Sequence, residues 1–89
     1  MKESYLEVTF RHGKPLAAYL YLPRKAGAKS YRSKRADPGL VIDYSRNGKP
    51  IGIEMTAPAL VTVAALNRVL RELKMPTVKR ADLEPLQAA

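Results

Sequence analysis

The sequence predicts an α+β domain: a four-stranded antiparallel sheet built from two consecutive hairpins, with one amphipathic helix packed on one face, in the order ββββα. Three observations predict it. Apolar residues alternate with polar ones in four short runs, an Asn-Gly pair divides the last two runs, and a longer segment follows whose apolar residues recur at helical spacing. The 89 residues make one domain, 1–89. A chain of this size buries about 60 to 65% of its unfolded surface, enough for one modest core.

The first run spans Tyr5 to Arg11, where Leu6, Val8 and Phe10 alternate with Glu7, Thr9 and Arg11. The second spans Leu16 to Leu22, with Ala18, Leu20 and Leu22 on one face and Tyr19 and Tyr21 on the other. A shared apolar face sets Phe10 opposite Ala18, Val8 opposite Leu20 and Leu6 opposite Leu22, joined by Gly13-Lys14-Pro15. His12 then flanks that loop with no nucleophile or orienting carboxylate near it in sequence. Pro23 ends the second strand, and residues 24–38 show no periodicity, so they read as one long basic loop whose single aromatic is Tyr31.

In the central hairpin, Leu40, Ile42 and Tyr44 alternate before the turn and Ile51, Ile53 and Met55 alternate after it. Asn47-Gly48 as a two-residue type I′ loop pairs Tyr44 with Ile51 and Ile42 with Ile53. Thr56 is the expected N-cap and Pro58 fits the first turn of a helix of about four to five turns. Its stripe is Ala59, Thr62, Val63, Leu66, Val69, Leu70 and Leu73, with Asn67, Arg68, Arg71, Glu72 and Lys74 on the other side. Leu60 and Val61 project off the stripe. Pro76 stops the helix, and in the tail 76–89 the stretch Ala81 to Leu86 forms a short turn with Leu83 and Leu86 inward.

Charge is the compositional outlier. The net charge is +8, yet six cations and no acid fall between Arg24 and Arg35, leaving 10 cations against 8 acids elsewhere. Such a local basic run suits phosphate-bearing partners, with Arg24, Lys25, Lys29, Arg32, Lys34 and Arg35 as contacts and Tyr31 as a stacking surface. The plainer alternative is a solvated loop. With no cysteine and one histidine, thiolate metal sites and disulfides are excluded, and neither metal nor cofactor is expected. The start Met1 to Tyr5 leads no apolar run of signal-peptide length, and no stretch approaches the roughly 20 apolar residues of a membrane span, so the expectation is a cytoplasmic protein without a membrane.

On the outward face of this sheet Asp43 lies opposite Gly52 and diagonal to Glu54. Paired carboxylates serve acid–base chemistry or hard cations, but on an open face they are expected as structural partners of nearby cations. No phosphate-binding glycine loop, nucleophile elbow or helix-turn-helix pattern is present, and no enzyme is expected.

The runs Leu16-Ala17-Ala18-Tyr19-Leu20-Tyr21-Leu22, Pro38-Gly39-Leu40-Val41-Ile42-Asp43-Tyr44 and Asn47-Gly48-Lys49-Pro50-Ile51-Gly52-Ile53-Glu54-Met55 together resemble the small prokaryotic family called domain of unknown function 2283. The resemblance covers about Leu16 to Met55, with Gly52-Ile53-Glu54 after Asp43-Tyr44 its most specific part. It implies an open antiparallel sheet with a helix, carries no established activity, and through similarity to toxin and antitoxin-like gene pairs hints at a protein partner. The chain departs from that family in the basic run Arg24 to Arg35, where an acidic region is common, and in Arg11-His12-Gly13-Lys14, where the turn is often acidic.

The expected function is a protein-interaction module, homodimeric or paired with another small protein, using Tyr19, Tyr21, Val41, Leu60 and Val61. The alternative is a nucleic-acid binder that uses the basic loop Arg24 to Arg35.

Overall fold

Four strands form where apolar alternation predicts them, and a fifth forms where it is absent. The computed structural model describes residues 4–24 and 27–87. The elements run β1 (Tyr5–Arg11), β2 (Lys14–Tyr21), β3 (Arg32–Asp37), β4 (Leu40–Tyr44), β5 (Pro50–Met55), a 3₁₀ turn Pro58–Leu60, α1 (Val63–Glu72), a second 3₁₀ turn Arg80–Leu83, and α2 (Glu84–Gln87). The sheet is antiparallel throughout, in the order β1-β2-β5-β4-β3. The last strand is therefore central.

The four-strand expectation is corrected by β3, which occupies part of what reads as a loop. Its residues Arg32 to Ala36 are exposed and pair along one side only, with β4, through Arg32 with Tyr44, Ser33 with Asp43 and Lys34 with Ile42. Backbone pairing and polar side-chain contacts, Ser33 to Asp43 and Asp37 to Arg68 at 2.6 Å, hold this edge, so it carries no apolar alternation, and its cations protect the open side from further pairing. Pro38 and Gly39 make the connection to β4, and Gly39 at φ 78° suits the third position of a type II turn.

Two registers also differ from expectation. His12 (φ 53°) and Gly13 (φ 77°) both lie in the left-handed region, so they form the tight β1–β2 turn in place of Gly13-Lys14-Pro15. Leu6 then pairs with Leu20 and Val8 with Ala18; Leu16 is the extra residue of a bulge that sets Phe10 opposite Pro15. The two-residue shift keeps Leu6 and Val8 on their face, and the bulge moves Phe10 by three. In the central hairpin Ile42 does pair with Ile53, but Tyr44 meets Pro50, not Ile51. The loop is a longer one: Gly48 N–H donates to the Ser45 carbonyl at 2.9 Å, and only Gly48, at φ 85°, is left-handed. That is a type I turn closed by a left-handed glycine.

The helix is shorter than its periodicity suggests. Pro58–Leu60 is a separate 3₁₀ turn, Val61 is extended, and the true N-cap is Thr62, whose hydroxyl accepts the Ala65 N–H at 3.1 Å. This break turns Val61 inward: it is 8% exposed within the core, and only Leu60, 81% exposed, stays outside. Leu66, Val69 and Leu70 lie against the inner sheet face, where Leu22, Leu40, Ile53 and Met55 are fully buried. Asn67, expected among the solvent-facing residues, is buried instead; its side-chain amide donates to the Val78 carbonyl at 3.0 Å and accepts the Val78 N–H at 2.8 Å. This clamp brings the tail back over the sheet, where Leu83 and Leu86 complete the core.

Candidate functional site

The loop after β2 has to cross two strands, β5 and β4, before it can begin β3, a span of about 14 Å at ordinary strand spacing. That crossing explains its length. It passes the same end of the sheet as the β4–β5 turn, and between the two lies a cleft of about 1030 Å³. Arg24 and Lys29 line it from the loop, and Arg46 and Lys49 line it from the turn. No acid is among its described lining residues, and no described carboxylate pairs with Lys29, Arg46 or Lys49. The floor is apolar: Pro23, Pro50, Ile51 and Met75.

Tyr31 stands at the rim. Its backbone N–H donates to the Tyr44 carbonyl at 2.8 Å, so the residue is anchored to β4, yet it is 66% exposed, with the Arg46 guanidinium 5.6 Å from its ring centre. The β4–β5 turn that carries Arg46 is held by its own hydrogen bonds: Ser45 N–H donates to the Lys49 carbonyl at 2.8 Å, and the Ser45 hydroxyl donates to the Asn47 side-chain oxygen.

The expected nucleic-acid contacts divide accordingly. Arg24, Lys29 and Tyr31 line the cleft; Arg32, Lys34 and Arg35 lie on β3 outside it, with Arg32 over the Tyr44 ring at 5.8 Å. Lys25 lies outside the described residues. Arg46 and Lys49 are additions that the sequence reading missed, because they are remote in sequence from the basic run. Their signal was the turn itself, two cations around Asn47-Gly48 in a hairpin whose open end must face the crossing loop.

The outward face of the sheet is a second polar assembly. Gly52 lacks a side chain, and Tyr19 from β2 lies across it to donate its hydroxyl to Asp43 Oδ2 on β4 at 2.7 Å. Ser33 donates to the other carboxylate oxygen at 2.5 Å. Burial first, then this hydrogen bond and the charge of Asp43, raise the Tyr19 phenol well above the usual tyrosine range. Tyr21 stacks on Tyr5 at 4.4 Å between ring centres, meets Tyr19 edge-on at 4.7 Å, donates to Glu7 at 3.3 Å, and has the Arg24 guanidinium 5.0 Å from its ring. Tyr19, Tyr21 and Val41 are thus half-buried on this face, and both named tyrosine hydroxyls are spent on internal carboxylates. Asp43 is held by two hydroxyls.

Together these features define a small two-layer α+β domain, a helix on an open five-stranded sheet, with a cation-rimmed cleft at one end. Residues 17–57 match the model of the family described as protein of unknown function (DUF2283), the family that this chain resembles over β2 to β5. Neither curated proteins nor solved structures yield a match. Among the described residues, no helix is long and apolar enough to cross a membrane.

Proposed function

We propose that this protein is a nucleic-acid-binding module whose affinity comes from backbone phosphates engaged at the cleft between the β2–β3 loop and the β4–β5 turn. One observation carries the reading: three cations from two separate segments, Lys29 of the loop and Arg46 and Lys49 of the turn, converge on a cleft with no acid among its described lining residues. Holding like charges together costs free energy, and an anion offsets that cost. Released counterions then drive association with a polyanion.

The test is binding of a fluorescein-labelled oligonucleotide, followed by anisotropy over a range of salt. Three phosphate contacts on a single strand give a log–log salt slope of about −2. Arg46→Ser combined with Lys49→Ser, both on an exposed turn, reduces that slope to about a third. Absence of binding at about 20 mM salt, or a slope that ignores the double variant, rejects the cleft as the site.

A second reading, the module for binding another small protein or a second copy, is supported by β1. It is an outer strand of the sheet with Tyr5 50% and Phe10 48% exposed, an edge on which a further strand can pair. Sedimentation at tens of micromolar, with and without a candidate partner, tests it; a monomer that binds no partner removes it.

A further inference from the structure

Resting on the nucleic-acid reading, we infer that the ligand is specifically a single strand, with one unpaired base seated against Tyr31 while the flanking phosphates meet Lys29, Arg46 and Lys49. Charge alone does not require this. A site for phosphates only is best served by polar walls, whereas this cleft has a cationic rim over the apolar floor of Pro23, Pro50, Ile51 and Met75. Its occupant needs to be amphiphilic: anionic along one side and flat and apolar on the other. An unstacked nucleotide has that character, while a duplex hides its base faces inside the stack and offers the cleft only phosphates.

Tyr31 supports the same conclusion. Its main chain is fixed by the 2.8 Å hydrogen bond to Tyr44, yet the residue is two-thirds exposed at the cleft rim. A pre-placed ring loses little side-chain freedom on stacking, and stacking is tolerant of base identity because every base presents a π face. The Arg46 guanidinium, already 5.6 Å from that ring, is placed to reach a phosphate next to the stacked base. The neighbouring pair Tyr5 and Tyr21 is a poorer platform, because those rings already stack on each other.

The experiment compares four probes at one moderate salt concentration: a mixed-sequence single-stranded oligonucleotide, the same sequence as a duplex, inorganic polyphosphate of similar charge, and a mononucleotide. The single strand is expected to bind tightest. Tyr31→Ser weakens it about tenfold, and Tyr31→Phe, which keeps the ring, restores it. A 2-aminopurine placed in the strand is quenched by the wild type and by Tyr31→Phe, not by Tyr31→Ser. Duplex or polyphosphate binding as tightly as the strand, or an unchanged Tyr31→Ser variant, overturns the base contact and leaves the electrostatic reading standing. A mononucleotide as tight as the oligonucleotide overturns the strand in favour of a free nucleotide. Failure of every polyanion to bind removes the reading beneath it as well.

Discussion

At Gly52 the outer face of the sheet has no side chain, and the Tyr19 ring occupies the space. A Cβ added there would lie inside the contact radius of that ring. Ordinarily a ring end can swing away, but this one is held by its bond to Asp43 and by edge-on contact with Tyr21. Gly52→Ala is therefore expected to cost about 1 to 3 kcal/mol, the scale of a lost hydrogen bond to a charged group. Removing the obstacle reverses the logic: in a Tyr19→Ala background the added methyl meets no ring, so Gly52→Ala becomes nearly neutral. Urea midpoints of the two single variants and the double variant measure this coupling. Additive costs would mean that the ring does not depend on the missing side chain. The sequence showed Tyr19, Asp43 and Gly52 on one face and set Asp43 opposite Gly52; the diagonal reach of the phenol over two strands needed the order β2-β5-β4, which alternation does not encode.

Elements were legible in proportion to how much apolar surface they bury. β4, β5 and the stripe Leu66, Val69, Leu70 supply fully or nearly fully buried side chains, and each announced itself through its period. β3 buries almost nothing, so its one usable sign was the turn Asp37-Pro38-Gly39 ahead of Leu40, a hairpin signal that needed a strand before it. Helical periodicity likewise ran through the 3₁₀ turn and overstated α1, because Pro58 to Leu60 share the spacing but not the continuity. Asn67 is the opposite case, a polar residue that works inside. Its two hydrogen bonds to Val78 are what return the tail, and Asn67→Ala leaves both backbone groups of Val78 without partners in a half-buried setting. The expected loss is about 2 to 4 kcal/mol, together with hydrogen-exchange protection at the Val78 amide. An unchanged midpoint would show that Leu83 and Leu86 dock the tail unaided.

For the molecule as a whole, the net charge of +8 acts on folding and on binding with opposite dependence on salt. In the free protein, cations brought together at the cleft repel one another, and folding holds them closer than the unfolded chain does. Screening relieves that repulsion, so the melting temperature of the free protein is expected to rise by a few degrees between about 20 mM and 500 mM salt. Binding reverses the trend. A strand held at about a hundred times its dissociation constant at low salt adds about 2.7 kcal/mol of stability by mass action. The same strand at the same concentration adds almost nothing at high salt, since its affinity has fallen by the power law of counterion release. Thermal unfolding with and without oligonucleotide across that salt range therefore gives two curves that converge, one rising and one falling. A free protein that loses stability with added salt would show that attraction, not repulsion, dominates its surface. A gap between the curves that persists at high salt would mean that the strand is held by something other than its phosphates.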